Sequence, residues 1–271
     1  MLEMHLETVE RLLVYFIKNT MAKQGFGNGI LGVSGGIDSA VVLTLTQRAL
    51  GPDHTFALLM PYKLSSEESL RDGKALCESL QVPYEIVDIS PSVDAYFDRF
   101  PTDNKSQIGN KCARERMSVL YDFSHRKQAL VIGTSNKSEL LVGYSTIFGD
   151  SAAAFLPIGD LYKTQIVELA HHLNIPLPII QKKPSADLWK DQTDEGELGI
   201  TYKELDEILF QMVDSRKKDW EIETMGYAMT DIQRVRRMII GSQYKRTMPP
   251  VCKFHARSVG IDFRYPRDWN K

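Results

Sequence analysis

Cysteine is scarce in this chain: Cys77, Cys112 and Cys252 are the only three in 271 residues, and none stand in a C-x-x-C spacing. An odd, dispersed set of thiols excludes a disulfide framework or thiolate zinc site and fits a reducing, cytoplasmic setting. No run of 18 apolar residues occurs, which excludes a membrane-spanning helix. The N-terminus carries acids and no continuous apolar stretch, which argues against a secretory signal. Internal repeats and low-complexity segments are missing too. With 43% apolar content, the chain suits one sizeable core in a single domain spanning 1–271. Net charge is only −2, but it is unevenly spread. From Asp231 to Lys271 there are ten Lys and Arg against three Asp, a balance of +7, which leaves −9 elsewhere. A basic tail can serve nucleic acid, a phosphate-rich small ligand or an acidic partner surface.

What is present centres on Ile30-Leu31-Gly32-Val33-Ser34-Gly35-Gly36-Ile37-Asp38-Ser39. An apolar run ends in a Ser-Gly-Gly turn, and Ala40, Val41, Val42, Leu43 and Leu45 then supply the apolar face of a helix. A strand, a glycine loop and a helix N-terminus in that order form an anion site suited to phosphate, with the Ser34 and Ser39 hydroxyls as added donors. The Walker lysine is missing, and Asp38 stands where polyphosphate would repel it. A carboxylate at that place implies Mg²⁺ between acid and phosphate. A capping Asp in a first turn is the simpler alternative.

Taken in order, residues 2–24 space apolar side chains as an amphipathic helix. Strands are expected at 30–33, 55–60, 84–89 and 129–133. A helix from a Ser65/Glu68 capping box to about Leu80 and another over 112–124 lie between them. Strands alternating with helices predict an α/β fold, a doubly wound parallel sheet with helices on both faces and ligands at the carboxyl ends of the strands. A helix over 163–173 is expected to end at Pro176 and Pro178, with further helices near 203–213 and 231–241. Residues 182–199 are polar, with too little apolar content to pack, and read as a mobile lid. At the end of the fourth strand, Gly133-Thr134-Ser135-Asn136-Lys137-Ser138-Glu139 repeats the logic of the first loop. Glu139 would be a second metal carboxylate; the plainer reading is a helix capped by Ser135 or Asn136 with an exposed acid.

The S-G-G-x-D-S pattern resembles the pyrophosphate loop of the N-type ATP pyrophosphatases. Gly109–Met117, Gly133–Glu139, Gly143–Asp150, Pro157–Thr164 and the Lys183–Leu188 and Gln192–Glu195 runs narrow that likeness to ammonia-dependent NAD synthetases, over about residues 5 to 250. The resemblance implies an adenine-nucleotide-hydrolase-like fold. It implies a ligase that adenylates the nicotinate carboxylate of deamido-NAD with ATP, then amidates it with free ammonia. By position, Gly32, Val33, Ser34, Gly35, Gly36, Ile37, Asp38 and Ser39 would hold ATP phosphates, joined by Thr134, Lys163 and Ser185. Asp38 and Glu139 would bind Mg²⁺; Arg114, Tyr244 and Lys245 would contact deamido-NAD, which gives the basic tail a small-ligand explanation. Lys163 would stabilise charge at the α-phosphate, and Asp150 would lie near the ammonia site, either to bind ammonium or to take its proton. Where many relatives have Lys and Asp, this chain has Ile147 and Ala154, and their His-Lys pair is Tyr244-Lys245. A homodimer is implied, with no glutaminase domain, no nucleic acid and no membrane. A tRNA-modifying enzyme with the same loop is the main alternative, and a non-catalytic nucleotide-binding regulator the second.

Overall fold

The computed structural model describes residues 4–185, 189 and 192–263. In chain order it contains α1 (Leu6–Gln24), β1 (Asn28–Gly32), α2 (Ile37–Leu50), β2 (Thr55–Leu59), α3 (Glu67–Ser79), β3 (Tyr84–Ile86), α4 (Ser90–Arg99), α5 (Lys105–Lys127) and β4 (Ala129–Val131). Then follow α6 (Lys137–Val142), α7 (Lys163–His172), α8 (Leu177–Gln181), α9 (Asp194–Leu198), α10 (Tyr202–Leu209), α11 (Asp219–Glu223) and α12 (Met229–Gly241).

The strands form one parallel sheet in the order β3-β2-β1-β4. The chain lays β2 and β3 successively on one side of β1, then returns to place β4 on the other. The strand order therefore reverses between β1 and β4, and a crevice opens there at the carboxyl ends. Both faces are covered, so the strands read as continuous apolar runs. Leu31, Val33, Ala57 and Leu59 face one way, into a core with Ile17 and Met21 of α1, Val41 and Leu45 of α2 and Ile166 and Leu169 of α7. Ile30, Leu58 and Val131 face the other, against Cys112, Met117 and Leu120 of α5 and Val93 of α4. Each fully buried Leu or Ile stabilises the fold by roughly 1.5–3 kcal/mol. A third cluster joins α10 and α12 through Leu205, Ile208, Ile232 and Val235, with Val142 of α6.

The doubly wound α/β expectation holds, with four local corrections. The strands are shorter than the apolar runs, although Val87 N–H to Leu59 O (2.9 Å) and Ile132 N–H to Ile30 O (2.8 Å) continue the ladders past the formal ends. The N-cap of α3 is Ser66, whose hydroxyl accepts from Ser69 N–H; Ser65 instead turns its hydroxyl to Tyr62 N–H, so the expected box does not form. Helix α7 is closed by Asn174 in the left-handed region (φ 59°), and Pro178 sits in the first turn of α8, where a missing N–H costs nothing. The stretch 182–199 does pack in part: Gln192, Asp194 and Leu198 are buried, and α9 lies in its second half. The middle of the proposed lid, 186–188 and 190–191, lies outside the described residues.

Among the described residues no helix is long and apolar enough to cross a membrane. The three thiols are free; Cys77 and Cys112 are buried and Cys252 is exposed. Burial pushes the Cys77 thiol up to about 12. A thiol reagent at pH 8 should therefore label one cysteine per native chain, Cys252, and all three in denaturant; fast native labelling of two would contradict the packing. Because unfolded Cys77 ionises from its ordinary value of 9.0 while the native thiol holds its proton to about 12, unfolding releases a proton across that window. Stability should fall as pH rises through it, and Cys77→Ala should flatten that part of a melting-temperature profile.

Candidate active site

Two strand-to-helix turns converge at the reversal of strand order. In the first, β1 runs into Ser34-Gly35-Gly36 and α2. Gly35 has φ 77°, and a Cβ there would stand 2.2 Å from the Ser69 carbonyl oxygen, so only glycine fits between loop and α3. The loop meets some of its donors internally. Ser39 Oγ donates to Gly36 O (2.9 Å) and accepts from Ser34 N–H (3.2 Å), and Gly36 N–H rests on Ser34 Oγ (3.3 Å). These long bonds are ones that a phosphate oxygen at the α2 N-terminus would replace.

In the second turn, β4 runs through Gly133–Ser135 to α6. Asn136, fully buried, caps α6 by accepting from Glu139 N–H (2.9 Å), while Glu139 Oε2 accepts from Asn136 N–H (3.3 Å). The amide Nδ2 of Asn136 crosses to the first turn and donates to Asp38 Oδ1 (3.0 Å). Lys163, the first residue of α7, completes the link. Its ammonium donates to Asp38 Oδ2 and stands 3.6 Å from Glu139 Oε1, with the Tyr202 ring 5.2 Å away. Each carboxylate thus has one oxygen on Asn136 and the other turned to Lys163. The capping reading of Asn136 holds, but the acid it precedes is largely buried, not exposed, and the cap is what aims it at Lys163.

The electrostatics follow from burial. Only 6% of the Lys163 side chain is exposed, against 18% for Asp38 and 16% for Glu139. Burial alone would lower the lysine; the Asp38 and Glu139 carboxylates outweigh it and hold the ammonium above its ordinary range. Burial, reinforced by Asp38, pushes the Glu139 carboxyl up, and Lys163 offsets this only in part. Asp194, buried in α9, is likewise raised by burial while accepting from Tyr144 and Tyr202 hydroxyls (3.0 and 3.2 Å). Asp206 of α10 anchors this end of α7 through Thr164 N–H (2.8 Å) and the Ser138 hydroxyl. Asn136, Asp194, Asp206, Tyr144 and Tyr202 were not among the candidates. A buried polar residue has no sequence signature beyond its type, and only the cap at Asn136 was visible.

The candidates for deamido-NAD gather elsewhere, around the loop 143–150. Arg114 Nε donates to Ile147 O (3.3 Å), and Lys245 Nζ donates to Gly143 O (2.7 Å) and Ser145 O (2.6 Å). Both cations therefore grip loop backbone, and Tyr244 is exposed beside them. Asp150 closes the loop, its Oδ1 accepting from Thr146 N–H (2.8 Å). Asp150 is exposed, yet the protein packed on one side of it pushes its carboxyl up; the Thr146 N–H and the nearby Lys245 and Arg116 oppose this. Ala154 lies along β4, its N–H bonded to Val131 O (2.9 Å). Thr134 is half-buried in the second turn; Ser185 is exposed after α8, next to Pro184, whose carbonyl accepts from Asp194 N–H (3.0 Å).

The basic C-terminal stretch spends much of its charge internally. Arg246 donates to the carbonyls of Leu140 (2.8 Å) and Leu141 (2.7 Å) at the end of α6, and to Ile239 O (2.5 Å). Arg236 pairs with Asp219, Arg234 with Gly199 O, and Lys253 with Asp262. A cleft of about 750 Å³ lined by Gly25, Asn28, Tyr121, His125 and Gln128 lies at the amino-terminal end of the sheet and contains none of the site residues.

Comparison with known proteins bears on this arrangement. The family model described as NAD synthase matches residues 9–249. The "NH(3)-dependent NAD(+) synthetase" of Chlorobaculum tepidum is 51% identical over 263 residues, 97% of this chain and 95% of the relative. That of Trichlorobacter lovleyi is 47% identical over 270 residues, 100% and 99% of the two chains. Among solved structures, an NMN synthetase from Francisella tularensis superimposes with TM-score 0.83 and 31% identity, covering 93% of this chain and 100% of its own. The NH3-dependent NAD synthetase from Campylobacter jejuni, in complex with nitrate, gives TM-score 0.80 and 36% identity at 93% and 100% coverage. With the family model spanning both turns, α7 and the 143–150 loop, this chain belongs to the NAD synthase family.

Proposed function

We propose that the protein makes NAD in two steps at this crevice. The nicotinate carboxylate of deamido-NAD attacks the α-phosphorus of ATP, forming an acyl adenylate and releasing pyrophosphate; ammonia then attacks the acyl carbon and AMP leaves. The observation that carries this reading is the bridging of Asp38 and Glu139 by Asn136 and Lys163 beside the Ser34–Ser39 loop.

The chemistry asks for neutralised charge and alignment more than for bond-making groups. The loop N–H groups and the α2 N-terminus would bind the departing pyrophosphate. Lys163, kept protonated by its two carboxylates, would meet the negative charge that develops at the α-phosphate. Asp38 and Glu139, two hard carboxylate oxygen donors, would suit Mg²⁺. Bound there by Asp38 and Glu139, Mg²⁺ would act as a Lewis acid towards the phosphates. Asp150 would accept a proton from ammonium, a task helped by a carboxyl raised above its ordinary value. Arg114 and Lys245 would shape the 143–150 loop for the dinucleotide through its carbonyls, with Tyr244 at its edge. We place this reaction in the cytoplasm and in a homodimer; gel filtration should give about twice the 30.8 kDa chain mass. A tRNA substrate is less well supported, because Arg234, Arg236, Lys245, Arg246 and Lys253 are engaged within the chain.

Purified protein with ATP, Mg²⁺, ammonium and deamido-NAD should form NAD and AMP in equal amounts. Because one structural neighbour is an NMN synthetase, the assay should be run in parallel with nicotinate mononucleotide. Faster turnover of the mononucleotide would reassign the substrate, and AMP release only with tRNA would overturn the reading. Asp38→Ala should abolish turnover in a protein that still folds but melts earlier, since the buried Lys163 ammonium loses its hydrogen-bonded carboxylate; wild-type rates would refute its metal role. Lys163→Met should lower kcat by about 10²-fold or more, the scale for losing one preorganised charge-stabilising group. It should also melt earlier, since stranding two largely buried carboxylates costs roughly 3–5 kcal/mol.

A further inference from the structure

The phosphate loop has a cation at its back that none of these roles uses. Lys182, the residue closing α8, donates from Nζ to Asp72 Oδ2 (2.7 Å) and to the carbonyl oxygen of Gly35 (3.3 Å). Asp72 belongs to α3 and is 8% exposed; Lys182 keeps 20% of its side chain exposed. Among the described residues Arg71, itself largely in solvent, also stands 3.4 Å from Asp72 Oδ1. Helix α3 presses closely on the loop here: Ser69 leaves no room for a Cβ on Gly35, and a Cβ on Gly73 would be 3.7 Å from Gly35 N.

The carbonyl of Gly35 and the N–H of Gly36 belong to one peptide group. In a trans peptide they point in opposite directions, so whatever holds the oxygen also aims the hydrogen. Glycines on both sides make this peptide the easiest in the loop to rotate. With Lys182 holding Gly35 O on the α3 side, Gly36 N–H points to the other side, where it now rests on Ser34 Oγ (3.3 Å). Asp72 in turn fixes the ammonium, which would otherwise be a solvated, rotatable charge. We infer that Lys182, locked by Asp72, is a positioning residue that sets the Gly35–Gly36 peptide so that the Gly36 N–H faces the ATP pyrophosphate group. The inference rests on the reading of Ser34–Ser39 as the phosphate loop.

Lys182→Met should raise the KM for ATP about tenfold, the size of a coupling within one contact network, and leave the KM for deamido-NAD within about twofold. Lys182→Arg, which can reach both partners, should stay within about threefold of wild type on ATP. If Lys182→Met folds poorly because Asp72 is left bare, the double variant Lys182→Met/Asp72→Asn removes both charges and should keep the raised KM for ATP. An unchanged KM for ATP in the folded variants, or equal losses for both substrates, would overturn the role. Hydrogen exchange of the peptide spanning 33–43, with and without Mg²⁺ and pyrophosphate, separates this inference from the reading beneath it. Protection in wild type that weakens in Lys182→Met supports the clamp. Equal protection in both overturns the clamp and leaves the phosphate loop standing. No protection in wild type removes the phosphate loop, and the clamp with it.

Discussion

The interaction on which the rest depends is the sharing of Asp38 and Glu139 by Asn136 and Lys163. Two largely buried carboxylates on separate turns would repel each other and drive the turns apart. One lysine and one amide hold them together, and neither could do so unless β1 and β4 were neighbours. Neighbouring strands require the chain to leave one side of β1 and return on the other. The fold's topology is thus a condition of the site's electrostatics. Lys163 is itself positioned by α7, whose first turn is tied to Ser138 and Asp206.

Burial decides which of these groups can do chemistry. Raising Glu139 and Asp194 disfavours more negative charge, while Lys163 remains protonated because it faces acids. A divalent cation or a polyphosphate entering this balance changes it by whole charges.

Much of this could be read from the residues. The strand–glycine–helix pattern at 30–45 and its echo at 129–139 give both turns, and alternating strands and helices give the sheet. Boundaries read less well where two capping residues compete, as Ser65 and Ser66 do, because choosing between them takes a contact with Tyr62 that sequence does not display. The stretch 182–199 misled through its low apolar content: Asp194 and Gln192 are buried by hydrogen bonds, to Tyr144 and Tyr202 and to Glu197, which hydropathy does not register. Arg114 and Lys245 show the reverse limit. Their motif positions were visible, but their partners are backbone carbonyls, which every residue carries.

Arg246 bears on order in time. Helix α6 is six residues long, and the carbonyls at its end are met by a side chain 106 and 105 positions further on. A chain still shorter than 246 residues lacks the guanidinium that meets those carbonyls, so the turn presenting Glu139 is completed only by a contact made late in the sequence.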